Sequence, residues 1–205
     1  FALLMFEVKK AKHVKIYQTI SILPSFLSWV AVGYIVYALL DPTKGIINKV
    51  LEYFQISGIA WYSEAKYWPG ILTITKVWQG VGLGSIIYYA ALMGVDNELF
   101  EAAEIDGAGR LQRLKNLILP LCMPAFTIGF FLTLSGTFRL YDQNLALTNG
   151  GPYGSTQMVC MNIYRTAFGE NDLGRAQAKA LIFVIVIAIV SLTQLYCSKK
   201  MEVEM

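Results

Sequence analysis

Ala180-Leu-Ile-Phe-Val-Ile-Val-Ile-Ala-Ile-Val-Ser-Leu192 is the stretch that decides the fold, with Ser191 its single polar side chain. Extended outward to residues 176–197, the run reaches the ~20 mainly apolar residues that carry an α-helix across a bilayer. In hydrocarbon every backbone N–H and C=O must be satisfied within the segment, so a run of this length reads as a spanning helix. Three more stretches share this character: residues 16–40, interrupted by Pro24 and a few hydroxyls, then 68–93 and 121–141. Periodicity does not orient them, because a helix apolar all round has no solvated face. The fold class implied is all-α, a polytopic integral membrane helical bundle forming a single transmembrane domain over residues 1–205.

Composition agrees. Of 205 residues, 56% are hydrophobic and 15% are charged, against about 25% charged in soluble domains. A compact soluble domain cannot hide more than half its residues, so much of this surface faces lipid. Disorder, a disulfide scaffold and a coiled coil are excluded on the same ground. The net charge of +3 carries no nucleic-acid footprint. Cys122, Cys160 and Cys197 lie far apart without CxxC spacing and read as small apolar fillers. His13 is the one histidine and sits among lysines. No metal site and no cofactor is therefore expected on this chain.

Residues 1–6 are apolar but too short to span. They read as the end of an earlier span in an N-terminally truncated sequence. A signal peptide is disfavoured, since its basic residues would precede the apolar run and here they follow it. Lys9, Lys10, Lys12 and Lys15 fill the first loop, Arg110, Arg113 and Lys115 the third, and Lys199 and Lys200 the tail. If the spans alternate, these lie on one side. The opposite loops hold Lys44, Lys49, Lys66 and Arg165 among Asp41, Glu52, Glu64, Asp142, Glu170 and Asp172. The excess of lysine and arginine places the first and third loops and the tail in the cytoplasm, although Arg175 and Lys179 weaken the contrast.

The outer loop over 41–66 opens on a turn at Asp41-Pro42. It then offers Ile46, Ile47, Val50, Leu51 and Phe54 at helical spacing, a short amphipathic helix suited to the interface. Trp61, Tyr62, Tyr67 and Trp68 follow, where aromatic rings sit at headgroup level. The second outer loop holds the turn signal Asn149-Gly-Gly-Pro152 and then a short helix over 158–168. Both loops serve either as mere connections or as docking surfaces.

Between the second and third spans runs Glu98-Leu-Phe-Glu-Ala-Ala-Glu-Ile-Asp-Gly107. Asp96 and Asn97 are good N-caps, and the acidic side chains crowd the first turns against the positive end of the helix. At 100° per residue, Leu99, Ala102, Ala103 and Asp106 share one side while Glu101 and Glu104 point away. Gly107 suits the left-handed exit of a helix. A basic helix over 110–117 leads to Leu119-Pro120 at the next span. Paired alanines let such a helix approach a partner's groove closely.

These residues are recognisable. Glu101-Ala102-Ala103, then Gly107, Leu117 and Leu119-Pro120 resemble the EAA signature of binding-protein-dependent ABC importer permeases, with Leu117 where the family usually has Ile. Glu101 to Ala108, Leu147-Thr-Asn-Gly-Gly-Pro152 and Ile163-Tyr-Arg-Thr-Ala-Phe168 resemble the carbohydrate, maltose-type branch. The resemblance spans nearly the whole chain. It implies a type I importer in the bacterial cytoplasmic (inner) membrane, with two permease subunits, an ATPase dimer and an extracytoplasmic solute-binding protein. Glu101, Ala102, Ala103, Asp106 and Gly107 would form the joint with the ATPase, and Leu119 and Pro120 would set the following span. No GxxxxGK[ST] loop is present, so ATP hydrolysis belongs to another polypeptide and this chain is a transport subunit, not an enzyme.

A sugar is held by hydrogen bonds and by ring faces stacked on aromatic side chains, so its path needs few charges. The resemblance places solute contacts near Gly80, Leu83, Thr133 and Thr137, and the same two spans carry Trp78 and Tyr141. Gly80 and Gly84 form GxxxG, which favours close helix packing over a ligand contact. Lys76 and Arg139 lie near the outer ends of their spans and can snorkel. A permease for another solute, such as glycerol phosphate or a peptide, is the alternative. An anionic solute would favour basic residues deep in the spans, and none sits at mid-depth. An intramembrane enzyme would need HExxH, paired span aspartates or a Ser-His couple, and the sequence has none.

Overall fold

In a computed structural model that describes residues 1–8 and 10–199, with the backbone alone for Asn97 and Lys199, every described element is a helix. Lys9 and Lys200 of the basic clusters lie outside the described residues. In chain order the helices are α1 (Ala2–Phe6), α2 (Ala11–Ile22), α3 (Trp29–Leu40), α4 (Ile46–Tyr53), α5 (Trp68–Met93) and α6 (Asn97–Ile105). Then come α7 (Arg110–Leu121), α8 (Met123–Phe138), α9 (Asp142–Thr148), α10 (Val159–Tyr164) and α11 (Leu173–Lys199). Among the described residues two stretches, Ala65–Met93 and Leu173–Ser198, are long and apolar enough to cross a membrane unbroken, and two bent pairs raise that to four.

A proline stands near each bend. Residues 16–40 are not one helix: α2 stops, a 3-10 turn runs over Leu23–Phe26, and α3 restarts with the Ser28 hydroxyl accepting the Ala31 N–H at 3.2 Å. Pro24 has no N–H to donate and crowds the carbonyl one turn back, so the α-helix gives way to the 3-10 turn around it, and the break follows between Phe26 and Trp29. The 121–141 stretch likewise begins on a 69° bend between α7 and α8, flanked by Pro120 and Pro124, and α8 ends at Phe138.

The chain forms two compact units. One comprises residues 25–79 and 137–186. Val32, Val36 and Leu40 recur every four residues on α3 and bury one stripe against Leu147 of α9 and the fully buried Trp68. Gly33 lies in the same contact, since a Cβ there would sit 2.7 Å from the Ala146 carbonyl oxygen. The Trp68 indole N–H donates to the Trp61 carbonyl at 3.0 Å, so this buried ring keeps its one polar group satisfied.

The outer loop of this unit is pinned by Asn48, buried on α4. Its amide donates to the Pro42 and Ile59 carbonyls at 3.1 and 2.9 Å, and its oxygen accepts from the Ile59 N–H and the Trp61 indole at 3.1 and 2.9 Å. All four hydrogen-bonding capacities of the amide are thereby used. Asp41 closes the turn before it, accepting from the Thr43 and Lys44 N–H groups and the Thr43 hydroxyl at 2.7–2.8 Å, which holds its carboxyl well below the usual carboxylate range. Asn48→Ala is expected to cost about 2–4 kcal/mol, because the partner groups are left unpaired in a buried site. Hydrogen exchange at the Ile59 amide checks this, and unchanged protection would contradict it.

The other unit comprises residues 1–24, 80–136 and the chain from 187 on. Ala2, Leu92 and Cys122 form its core with Phe6, Tyr88, Tyr89 and Ile118 around them, so the short apolar α1 is an integral part of this packing. Here the expectation for GxxxG is corrected. A Cβ at Gly80 or Gly84 would meet nothing within 4 Å, whereas one at Gly82 would meet the Ser21 carbonyl oxygen at 2.0 Å. The close helix approach falls on the glycine between the pair, because 82 is the position on α5 that points at α2.

Candidate functional site

The ends of α6 are set by its sequence. The Asp96 carboxylate accepts the Glu98 N–H at 3.0 Å at the start. At the finish Gly107 takes φ +73°, its N–H reaches the Glu104 carbonyl at 3.1 Å, and the Ala108 N–H reaches the Ala103 carbonyl at 2.9 Å. This paired closure satisfies the last carbonyls and requires a left-handed residue, which glycine supplies without strain.

α6 rests on its own chain through Phe100, whose ring centroid lies 5.5 Å from that of Phe6, and through half-buried Ala103. Glu104 reaches Arg113 at 3.7 Å and Arg110 reaches Glu7 at 3.8 Å, tying α6 and α7 to the rest of the unit. Such exposed pairs contribute at most about 1 kcal/mol each, so they orient more than they stabilise. The residues assigned to one side are parted by the structure: Ala103 is partly covered by its own chain, while Leu99, Ala102 and Asp106 are exposed, as is Glu101. Ile105 at 86% and Leu111 at 76% exposure add to this outward apolar set. Sequence reading missed both. The available signal was two aliphatic residues in a polar segment with no core to serve.

The Gly109 N–H starts α7 by donating to the Gln112 side chain at 3.0 Å. α7 then widens into a π-turn over Leu114–Ile118 just before Leu119-Pro120. Pro120 has no N–H for the regular ladder, which accounts for the widening there. Leu119 is exposed and Pro120 half-buried, at the bend into α8.

Of the residues read as a solute path, Gly80 and Leu83 of α5 and Thr133 of α8 meet in one cavity of about 300 Å³. Gly84, Ile87, Tyr88, Gly129 and Leu132 complete its lining, which contains no charged residue. Gly129 makes room for a neighbour, because a Cβ there would lie 2.1 Å from the Tyr88 hydroxyl oxygen. The Thr133 hydroxyl donates to the Gly129 carbonyl at 2.8 Å. The cavity thus offers small residues, a phenol and a threonine hydroxyl. Trp78, Thr137 and Tyr141 belong to the other unit and do not line this cavity; Trp78 and Thr137 are exposed, and Tyr141 is half-buried beside Tyr164.

Three cations of that unit are held by neighbours within it. Lys76 lies over the Trp29 ring at 5.3 Å. The Lys179 ammonium donates to Asn162 and Thr166 at 2.8 Å each, and Arg175 pairs with Glu170 and Asp172.

Comparison with known proteins adds a family. The chain is 37% identical over 183 residues to the probable starch degradation products transport system permease protein AmyD of Thermoanaerobacterium thermosulfurigenes, covering 89% of this chain and 62% of that protein. It is 40% identical over 127 residues to the multiple sugar-binding transport system permease protein MsmF of Streptococcus mutans, covering 62% of this chain and 44% of that one. The chain therefore spans less than two thirds of the length of these relatives. A bacterial ABC transporter involved in the import of the acidic polysaccharide alginate superposes with a TM-score of 0.90 at 26% identity, over 97% of this chain and 70% of the other. The profile of the binding-protein-dependent transport system inner membrane components matches residues 8–203, which takes in both units, the capped α6 and the cavity, and the chain belongs to that family of inner membrane proteins.

Proposed function

We propose that this chain is the transmembrane subunit of an ATP-driven importer for a sugar or oligosaccharide, forming half of the translocation pore. The observation that carries the reading is α6: a short helix capped at both ends, anchored by Phe100 on Phe6, with Leu99 and Ile105 turned away from its own chain. Exposed aliphatic side chains beside lysines and arginines suit a groove on a cytoplasmic partner. That partner is a separate ATP-binding cassette ATPase dimer, and Glu101, Ala102, Ala103, Asp106 and Gly107 form the joint. A second permease subunit completes the pore, and an extracytoplasmic binding protein delivers the solute. The single-domain layout, with four spans beyond residues 1–6, and the absence of a cofactor on this chain belong to the same reading.

The solute class rests on the uncharged cavity around Gly80, Leu83 and Thr133 and on the relatives, whose names concern starch products, multiple sugars and alginate. The test is uptake into proteoliposomes holding the complete transporter and its binding protein. Accumulation of a labelled saccharide is expected. Accumulation of a peptide or glycerol phosphate with every saccharide excluded would overturn the solute class.

A further inference from the structure

A second concave site, of about 390 Å³, lies within the unit formed by residues 25–79 and 137–186 and shares no residue with the cavity around Gly80. Its wall is a row of rings: Tyr141 and Tyr164 with centroids 5.5 Å apart, then Tyr164 and Phe168 at 4.8 Å. Arg165 and Asn149 supply the polar side.

The arginine is placed with care. α10 widens after Tyr164 into a π-turn over Arg165–Gly169, and Thr166 inside that turn is fully buried with its hydroxyl held by Lys179. With position 166 locked inward, 164, 165 and 168 project outward, and all three are exposed. Gly169 leaves room for the arginine stem, since a Cβ there would lie 3.3 Å from Arg165 Cγ. Gly150, at φ +85°, lies beneath the guanidinium, with a Cβ position 3.9 Å from Nη2. The acids nearest in sequence, Glu170 and Asp172, are both taken by Arg175, so Arg165 makes no ion pair among the described residues. The cation missing from mid-span positions is thus present in this groove.

We propose that this groove binds a saccharide carrying a carboxylate, a uronate ring stacked on Tyr164 and Phe168 with its carboxylate on the Arg165 fork. Aromatic faces hold the apolar face of a sugar ring, and a guanidinium matches a carboxylate with two parallel hydrogen bonds. This deepens the sugar-importer reading and rests on it.

The experiment uses the complete transporter in nanodiscs without binding protein, titrated with trigalacturonate and, separately, with maltotriose. Trigalacturonate is expected to bind, and Arg165→Gln to weaken it about tenfold or more, in line with loss of a charge-assisted pair. Phe168→Ala is expected to weaken it as well, while α-helical content stays unchanged in both variants. Trigalacturonate binding that is absent, or unchanged in R165Q and F168A, overturns the proposal. If the proteoliposomes of the uptake test accumulate maltotriose and trigalacturonate does not bind in the nanodiscs, this inference fails alone; if the proteoliposomes accumulate no saccharide at all, the importer reading fails with it.

Discussion

Gly82→Ala is expected to destabilise the protein by about 3 kcal/mol, or to prevent its accumulation, because inserted atoms in a tight contact force backbone shifts. The added methyl would sit 2.0 Å from the Ser21 carbonyl oxygen, 2.2 Å from its carbonyl carbon and 2.6 Å from the Ile22 nitrogen. All three are backbone atoms, so no rotamer change relieves the clash, and α2 and α5 must separate. Gly80→Ala and Gly84→Ala meet nothing within 4 Å. In a helix interior alanine is favoured over glycine by about 1 kcal/mol, so these two should melt at the parent temperature or slightly above it. Thermal unfolding of the three variants in detergent makes the comparison, and equal melting temperatures would contradict the packing described.

The second large effect concerns α6. Ile105→Glu and Leu99→Glu are expected to lower recovery of the ATPase with the purified permease at least about tenfold, since a carboxylate would be buried without a partner in the groove proposed to receive the helix. The fold itself should tolerate both, because Ile105 is 86% and Leu99 44% exposed in this chain, and exposed substitutions usually change stability by about 0.5 kcal/mol or less. Gly107→Val acts differently: it strains the left-handed exit at φ +73° and frays the end of α6. Undiminished recovery of the ATPase with Ile105→Glu would remove α6 from the joint.

The helical membrane character was legible because a run such as residues 180–192 has no other stable state in lipid. The start and finish of α6 were legible too, as Asp96 and Gly107 act locally. What sequence reading missed depends on contacts distant along the chain. It did not show that α2 points at the middle glycine of Gly80-Val-Gly-Leu-Gly84, that Phe6 supports Phe100, or that Ala103 turns partly inward. Gly80, Leu83 and Thr133 do share a cavity, whereas Trp78, Thr137 and Tyr141, chosen with them, lie in the other unit. The stretch over 16–40 keeps the apolar length of a span but runs as two helices with a break after Phe26, a feature that its visible Pro24 foreshadows without fixing the place of the bend.

The coupling proposed for α6 is read by ATP hydrolysis of the complete transporter in proteoliposomes, with and without saccharide-loaded binding protein, for the parent chain and Ile105→Glu side by side. Stimulation by the loaded binding protein is expected in the parent and none in the variant. Equal stimulation in both, or none by any saccharide in a parent complex that responds to another solute, would contradict it.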